Sequence, residues 1–181
     1  QYQTGGSTLS SLLLMLVFIA VSPCESRAQV GKRLPLWTEG QLGIHHINTG
    51  KGDAAFFILP DGTTLLVDAG AHTRPPGPRE MPSKPNDSRT SGEWISRYIR
   101  RMLESASPPK LDYALLTHFH SDHMGGVYPG IKSSKKGPYK LSGITEVGEL
   151  TPFGKVIDRG WPSYDWPAPL ESDDMGNYRD F

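Results

Sequence analysis

The chain has 181 residues and carries 19 basic and 19 acidic side chains, so its formal net charge is zero. A neutral chain has no net field to attract long nucleic acids or anionic membranes, which argues against both as partners. The 20 glycines and 16 prolines indicate many turns, and the absence of internal repeats and heptads excludes solenoids and coiled coils, so a globular domain is expected.

The first predicted element is an apolar run from Ser11 to Val21. Its length is typical of a signal-peptide core and is short for a membrane span. Ser26-Arg-Ala28 provides the small side chains of a cleavage site. We therefore predict a signal peptide or N-terminal apolar leader over residues 1–28 and an exported chain, periplasmic or extracellular, that starts near Gln29. An uncleaved membrane anchor and a buried helix are the alternatives.

Cys24 is the only cysteine and lies within this leader. The segment Val21-Ser-Pro-Cys24 is a poor match to a lipoprotein cleavage box because proline precedes the cysteine. Cleavage after Ala28 leaves a chain with no cysteine, which then has neither a disulfide nor a thiolate ligand for a metal.

Three strands are predicted next. The first spans residues 42–48, where the adjacent His45 and His46 must point to opposite faces, so at most one can face a metal. We expect core or edge positions for both. Residues 54–59 and 63–67 flank a Pro-Asp-Gly turn and therefore predict a β-hairpin.

Residues 72–88 form a polar segment with five prolines and cannot hold a regular helix. The segment predicts a surface loop near the mouth of a site. Its His72 and Arg74 are expected to be solvated, with substrate contact as the alternative.

Residues 91–104 carry apolar side chains at helical spacing and predict an amphipathic helix. Ser91 is the expected N-cap, and Pro108-Pro109 closes the segment. The arginines of this helix are expected on its solvated face.

The densest group of potential metal ligands follows an apolar run at residues 111–117, which predicts a buried strand. His118, His120, Asp122 and His123 lie within six positions of one another. Side chains two apart on an extended segment point the same way, so the first two histidines can bind one ion while the following turn directs the other two ligands to a second. Imidazole and carboxylate suit zinc, with iron or manganese as alternatives. A chance cluster of loop residues is the competing interpretation.

The segment His118-Phe-His-Ser-Asp-His123 resembles the His-x-His-x-Asp-His signature of the metallo-β-lactamase superfamily. The resemblance covers residues 40–160 and implies an α/β fold, the αββα sandwich of the metallo-β-lactamase type, with two metal sites. It also implies that Asp68, at the end of the hairpin, supports residues 117–124, the metal loop, without binding the metal itself. Capping of local backbone is the alternative. The turn Thr49-Gly-Lys-Gly-Asp53 resembles a turn in the hydrolase domain of bacterial DNA-uptake competence proteins.

The family pattern further requires a later histidine, a bridging aspartate and a final histidine, yet no histidine follows His123. Asp158 ends a strand-like run but is out of order as the bridge. We therefore expect residues 29–181 to form an incomplete domain, the N-terminal half only, with the remaining ligands beyond Phe181.

The resemblance implies a metal-dependent hydrolase in which a metal-activated water attacks an ester, phosphodiester or amide, and in which Asp122 helps to manage the proton. About two zinc ions are expected per complete chain, with iron or manganese possible in their place. An iron-dependent oxidoreductase of the same fold and a non-catalytic remnant that keeps half a metal site are the alternatives. The expected partner is a small-molecule or phosphodiester substrate; there is no strong nucleic-acid signal and no stable membrane span, and the oligomeric state is left open.

Overall fold

The computed structural model describes residues 31–104 and 110–181. The predicted leader and the helix stop at Pro108-Pro109 therefore lie outside the described residues. The chain divides into two compact units, Gln1–Pro35 and Leu36–Phe181. Of the first unit only residues 31–35 are described, and they are exposed and lie outside helices and strands. The second unit holds every element given below.

Within residues 31–104 and 110–181, five strands form one mixed sheet, and their order in the sheet follows the chain. They are β1 (Gly43–His46), β2 (Ala55–Ile58), β3 (Thr64–Val67), β4 (Leu111–Leu115) and β5 (Phe153–Ile157). The first three strands are antiparallel neighbours, and β4 and β5 continue parallel to β3. The predicted hairpin is confirmed, because β2 and β3 pair directly across the turn that Gly62 closes with a hydrogen bond to the Leu59 carbonyl.

Four helices accompany the sheet in the described part of the chain: α1 (Ser91–Met102), α2 (Ser121–Met124), α3 (Gly143–Leu150) and α4 (Asp173–Arg179). The N-cap of α1 is Thr90, so the expected cap at Ser91 is wrong by one residue. Thr90 and Glu93 form a reciprocal capping box, which satisfies two backbone donors that the first helical turn leaves free. No helix among the described residues is long and apolar enough to cross a membrane.

The core lies between one face of the sheet and α1. Phe56, Leu66 and Ala114 face one another across β2, β3 and β4, and all three are fully buried. Ile95 and Ile99 of α1 are buried in the same cluster. Fully burying such an aliphatic side chain contributes roughly 1.5–3 kcal/mol, so the apolar stripe predicted from the sequence is what holds α1 on the sheet.

The opposite face of the sheet is also apolar but is less well covered. Ile44 and Tyr113 lie on this face and are 52% and 37% exposed, and Phe57 and Leu65 between them are half-buried. The elements therefore make an α/β fold, as predicted, with helices on one face of the sheet. The sandwich, which requires a second sheet, stays a prediction.

Three histidines lie outside the metal loop, at positions 45, 46 and 72. His45 is half-buried against Phe56 and Tyr98, and its Nδ1 lies 2.9 Å from the tyrosine hydroxyl, whereas His46 is exposed. This is the core and edge arrangement that was expected. His72 is buried, with its Nε2 2.5 Å from the Ser83 hydroxyl, so the expectation that it is solvated is wrong. Its ring ties together the two ends of the proline-rich loop.

A buried carboxyl group joins α1 to α3. Glu146 is 3% exposed and accepts a hydrogen bond of 2.7 Å from the Thr90 hydroxyl. Burial raises the pKa of this carboxyl to about 7; the Thr90 hydrogen bond opposes the shift, Glu93 adds to it and Lys132 opposes it. The folded protein therefore holds a proton here that the unfolded chain releases near the ordinary pKa of 4.5.

This difference predicts a pH-dependent stability. Between pH 4.5 and 7 the folded state binds more protons, so stability falls as pH rises and then levels off. We compare the free energy of unfolding of Glu146→Gln with that of wild type by urea unfolding. We expect the variant's value minus the wild-type value to rise by about 3 kcal/mol from pH 5 to pH 8. Glu149→Gln on the same helix is the control, because the pKa of Glu149 is lowered and its effect is constant over this range. An equal difference at both pH values for Glu146→Gln contradicts the prediction.

Candidate metal centre

The predicted ligands lie at the carboxyl end of β4, where the chain leaves the sheet and forms the single turn of α2. Ligand atoms of His118, Asp122 and His123 all lie within 4.8 Å of one another. The imidazole rings of the two histidines are 3.8 Å apart between centroids. The parallel strand β4 therefore delivers three side chains that could hold a metal ion to one small volume at the carboxyl edge of the sheet.

His120 lies at the margin of this group. Its ring is exposed and meets the ring of His118 edge-on, with 4.8 Å between centroids. The structure thus brings His118 closest to Asp122 and His123, the two residues assigned to the other ion by the spacing argument. The division of the four side chains into two metal sites stays a prediction.

Asp68 binds the metal loop from the buried side. Its carboxylate accepts hydrogen bonds from the Thr117 backbone N–H at 2.8 Å, the Thr117 hydroxyl at 2.7 Å and His123 Nδ1 at 2.8 Å. Its backbone is in the left-handed region, with φ of 58°, immediately after β3. A carboxylate that holds Nδ1 of a histidine leaves the Nε2 lone pair of the same ring free to bind a metal.

Thr117 connects His118 to the same carboxylate. This residue was not identified from the sequence. Its single hydroxyl proton goes to Asp68, so its oxygen accepts from His118 Nδ1 at 3.1 Å. Two imidazoles are therefore held, directly or through one hydroxyl, by the same buried carboxylate. In both rings Nδ1 is engaged, so Nε2 is the nitrogen left with a lone pair that could bind a metal.

Two glycines make room for the backbone of the loop. A Cβ on Gly52 would lie 1.6 Å from the carbonyl oxygen of Asp122, and a Cβ on Gly70 would lie 2.1 Å from it. The same carbonyl accepts a hydrogen bond of 3.0 Å from the Asp53 N–H. The backbone of the Gly-Lys-Gly-Asp turn thus packs directly against the backbone of the metal loop. Only glycine permits so close an approach between the two segments.

The carboxylate of Asp158 forms its hydrogen bonds with residues that follow β5 and with α4. Its carboxylate accepts two backbone hydrogen bonds, from Gly160 and Trp161, and two hydroxyl hydrogen bonds, from Tyr164 and Tyr178. With its lone pairs used in this way, it has no free oxygen to offer as a bridging ligand.

Residues 49–176 match the family model of the metallo-beta-lactamase superfamily. The chain belongs to this superfamily. The matched range contains both the Gly-Lys-Gly-Asp turn and the metal loop. Searches of curated proteins and of solved structures found no match.

Membership of the metallo-beta-lactamase superfamily indicates hydrolase-type chemistry that depends on a metal, since members are generally hydrolases and typically bind metal ions. The donors in this chain fit such an ion. Two imidazoles with free Nε2 atoms and one carboxylate are a set that zinc, iron and manganese all accept.

Proposed function

We propose that the protein is a metal-dependent hydrolase and that His118, His120, Asp122 and His123 hold its metal. The observation that carries the proposal is the network in which Asp68 orients His123 directly and His118 through Thr117. Solvated polar turns do not need a buried carboxylate to set the orientation of their imidazoles. Outer hydrogen bonds of this kind are characteristic of metal-binding histidines.

The proposed ligands and Asp68 differ in their exposure to solvent, which suggests different roles. The side chain of Asp122 is 45% exposed, whereas those of His123 and Asp68 are 16% and 3% exposed. Asp122 is therefore the carboxylate of the site with the most access to solvent, and we assign it the acceptance of a proton from the attacking water. A divalent ion held here would supply Lewis acidity, polarising the scissile bond and lowering the pKa of water.

For the substrate we propose an ester, a phosphodiester or an amide. The Gly-Lys-Gly-Asp turn, which contacts the metal loop through its backbone, resembles the corresponding turn of competence-type hydrolase domains, and this resemblance favours the phosphodiester. The balanced charge of the chain favours a small phosphodiester over a long nucleic acid.

We also propose that the sheet is one layer of an αββα sandwich, supported by the apolar outer face around Ile44 and Tyr113. A bare apolar sheet face is the kind of surface that a second layer covers. The apolar run at residues 11–21 supports export with a leader over residues 1–28.

The first experiment is elemental analysis of the protein purified from its full reading frame. We expect about two zinc ions per chain, the number that a binuclear hydrolase holds. Hydrolysis is then assayed on panels of esters, phosphodiesters and lactams. Iron in place of zinc contradicts the zinc assignment and favours the oxidoreductase, and a chain that binds no metal contradicts the hydrolase and favours the remnant.

A further inference from the structure

Phe119 stands between the first two histidines of the metal loop and anchors the loop on the β5 side of the sheet. Its ring centroid lies 5.5 Å from that of Tyr164 and 5.6 Å from that of Tyr178. The guanidinium of Arg159 lies 5.5 Å from the same ring. Because side chains alternate along an extended segment, the position of Phe119 determines where its two neighbours point.

Asp158 holds the two tyrosines in place. Its Oδ2 accepts hydrogen bonds from Tyr164 at 2.9 Å and from Tyr178 at 2.8 Å, while its Oδ1 accepts from two backbone N–H groups. Burial opposes ionisation of this carboxyl, but the four hydrogen bonds outweigh it and lower the pKa. Burial and the neighbouring carboxylate together raise the pKa of Tyr164 to about 12, so its hydroxyl remains a donor.

This cluster is attached to the same sheet edge as the metal loop. The Ile157 carbonyl, at the end of β5, accepts a hydrogen bond of 2.8 Å from the Leu116 N–H, just past the end of β4. Asp158 therefore leaves the sheet beside Thr117, and both tyrosines are buried. Phe119 thus packs on Tyr164 and Tyr178, which together with Asp158 form a tyrosine platform with hydrogen bonds separate from those of Asp68.

We propose that Asp158, Tyr164 and Tyr178 are positioning residues that set His118 and His120 through Phe119. The inference rests on the proposed metal-binding function. Asp68 orients the loop from one side, at Thr117 and His123, and the tyrosine platform orients it from the other. Tyr164 and Tyr178 contact the ring of Phe119, so we assign the platform an effect on the geometry of the loop and not a role as a ligand.

Tyr178→Phe tests the proposal with a minimal change, because it removes one hydroxyl and keeps the ring against Phe119. We expect zinc affinity, measured by competition with a chromophoric chelator, to fall about tenfold, the lower end of what outer partners of metal ligands contribute. Tyr139→Phe is the matched control. Its buried hydroxyl likewise donates to a carboxylate, Glu149 at 2.7 Å, and it packs on Phe181 away from the loop. Equal zinc affinity in the two variants overturns the proposal.

A double-mutant cycle separates positioning from general stabilisation. Asp158→Asn and Phe119→Leu are combined, and zinc affinity is measured for all four proteins. If Asp158 acts through Phe119, its replacement has little further effect once Phe119 is lost, so the double variant binds zinc about as well as Phe119→Leu alone. Losses that multiply overturn the proposal, because independent structural defects add in free energy.

Hydrogen exchange on the metal-free chain distinguishes failure of this inference from failure of the proposed function. We expect Tyr178→Phe to speed exchange of the backbone amides of residues 117–124, and Tyr139→Phe to leave them unchanged. If wild type binds no zinc, the proposed function fails and this comparison alone decides the inference. Unchanged exchange in Tyr178→Phe overturns it.

Discussion

His118→Ala is expected to lower turnover by more than about 1,000-fold, since a bound metal supplies several kcal/mol of catalysis and each 1.36 kcal/mol is tenfold in rate. His118 is half-buried and contacts the loop rather than the core. Its loss should therefore reduce bound metal while changing the free energy of unfolding by about 1 kcal/mol or less. The measurements are metal content, turnover of whichever substrate wild type hydrolyses best, and a urea melt.

Two comparisons make this result specific. Asp122→Ala should behave like His118→Ala, because both side chains belong to the same cluster. His46→Ala removes an exposed imidazole from β1 and should leave metal content and turnover unchanged. Wild-type rates in His118→Ala contradict the assignment of this residue as a ligand.

Gly52→Ala is expected to have the second large effect, although it adds only one methyl group. Its Cβ would lie 1.6 Å from the Asp122 carbonyl oxygen, and the residue has φ of +72°. Both the clash and the left-handed backbone disfavour alanine. Relief requires the metal loop to move, so we expect a loss of about 3 kcal/mol or more in unfolding free energy, together with weaker zinc binding.

Gly130→Ala is the matched control for Gly52→Ala. Gly130 has φ of +84°, but a Cβ there would meet nothing within 4 Å. It therefore reports the conformational cost alone, about 1–2 kcal/mol, with zinc binding retained. Equal losses in the two variants would show that the close approach to Asp122 is unimportant.

Strands β1 to β4 and α1 could be predicted from local patterns, whereas α2, α3 and α4 were not predicted. The hairpin followed from two apolar runs around a Pro-Asp-Gly turn, and α1 followed from apolar spacing, because both depend on residues near one another in sequence. The N-cap at Thr90 was missed by one residue because Ser91 is an equally good cap by type. The Thr-x-x-Glu spacing of Thr90 and Glu93, a capping box that can be read from the sequence, distinguishes them. In the fold Ser91 donates instead to the Thr49 carbonyl, at 2.7 Å. The burial of His72 likewise depends on Ser83, eleven residues away.

The candidate site divides in the same way. Its candidate ligands lie within six positions of one another and could be recognised from their spacing. Thr117 and the two glycines could not, because nothing in a lone threonine or in a Gly-x-Gly turn indicates which distant group it will meet. Their importance depends on contacts between segments about 50 or more residues apart, such as Thr117 with Asp68 and Gly52 with Asp122.

By itself the sequence predicted the α/β class, the superfamily, through its resemblance at residues 118–123, and the candidate metal ligands in that segment, since these depend on side-chain type and spacing over a few positions. Only the tertiary structure decided how these side chains are held. Burial of Asp68 and packing of Phe119 on Tyr164 and Tyr178 arise where β3, β4 and β5 end together. The orientation of an imidazole is set by its partners in space, and no local pattern specifies those partners.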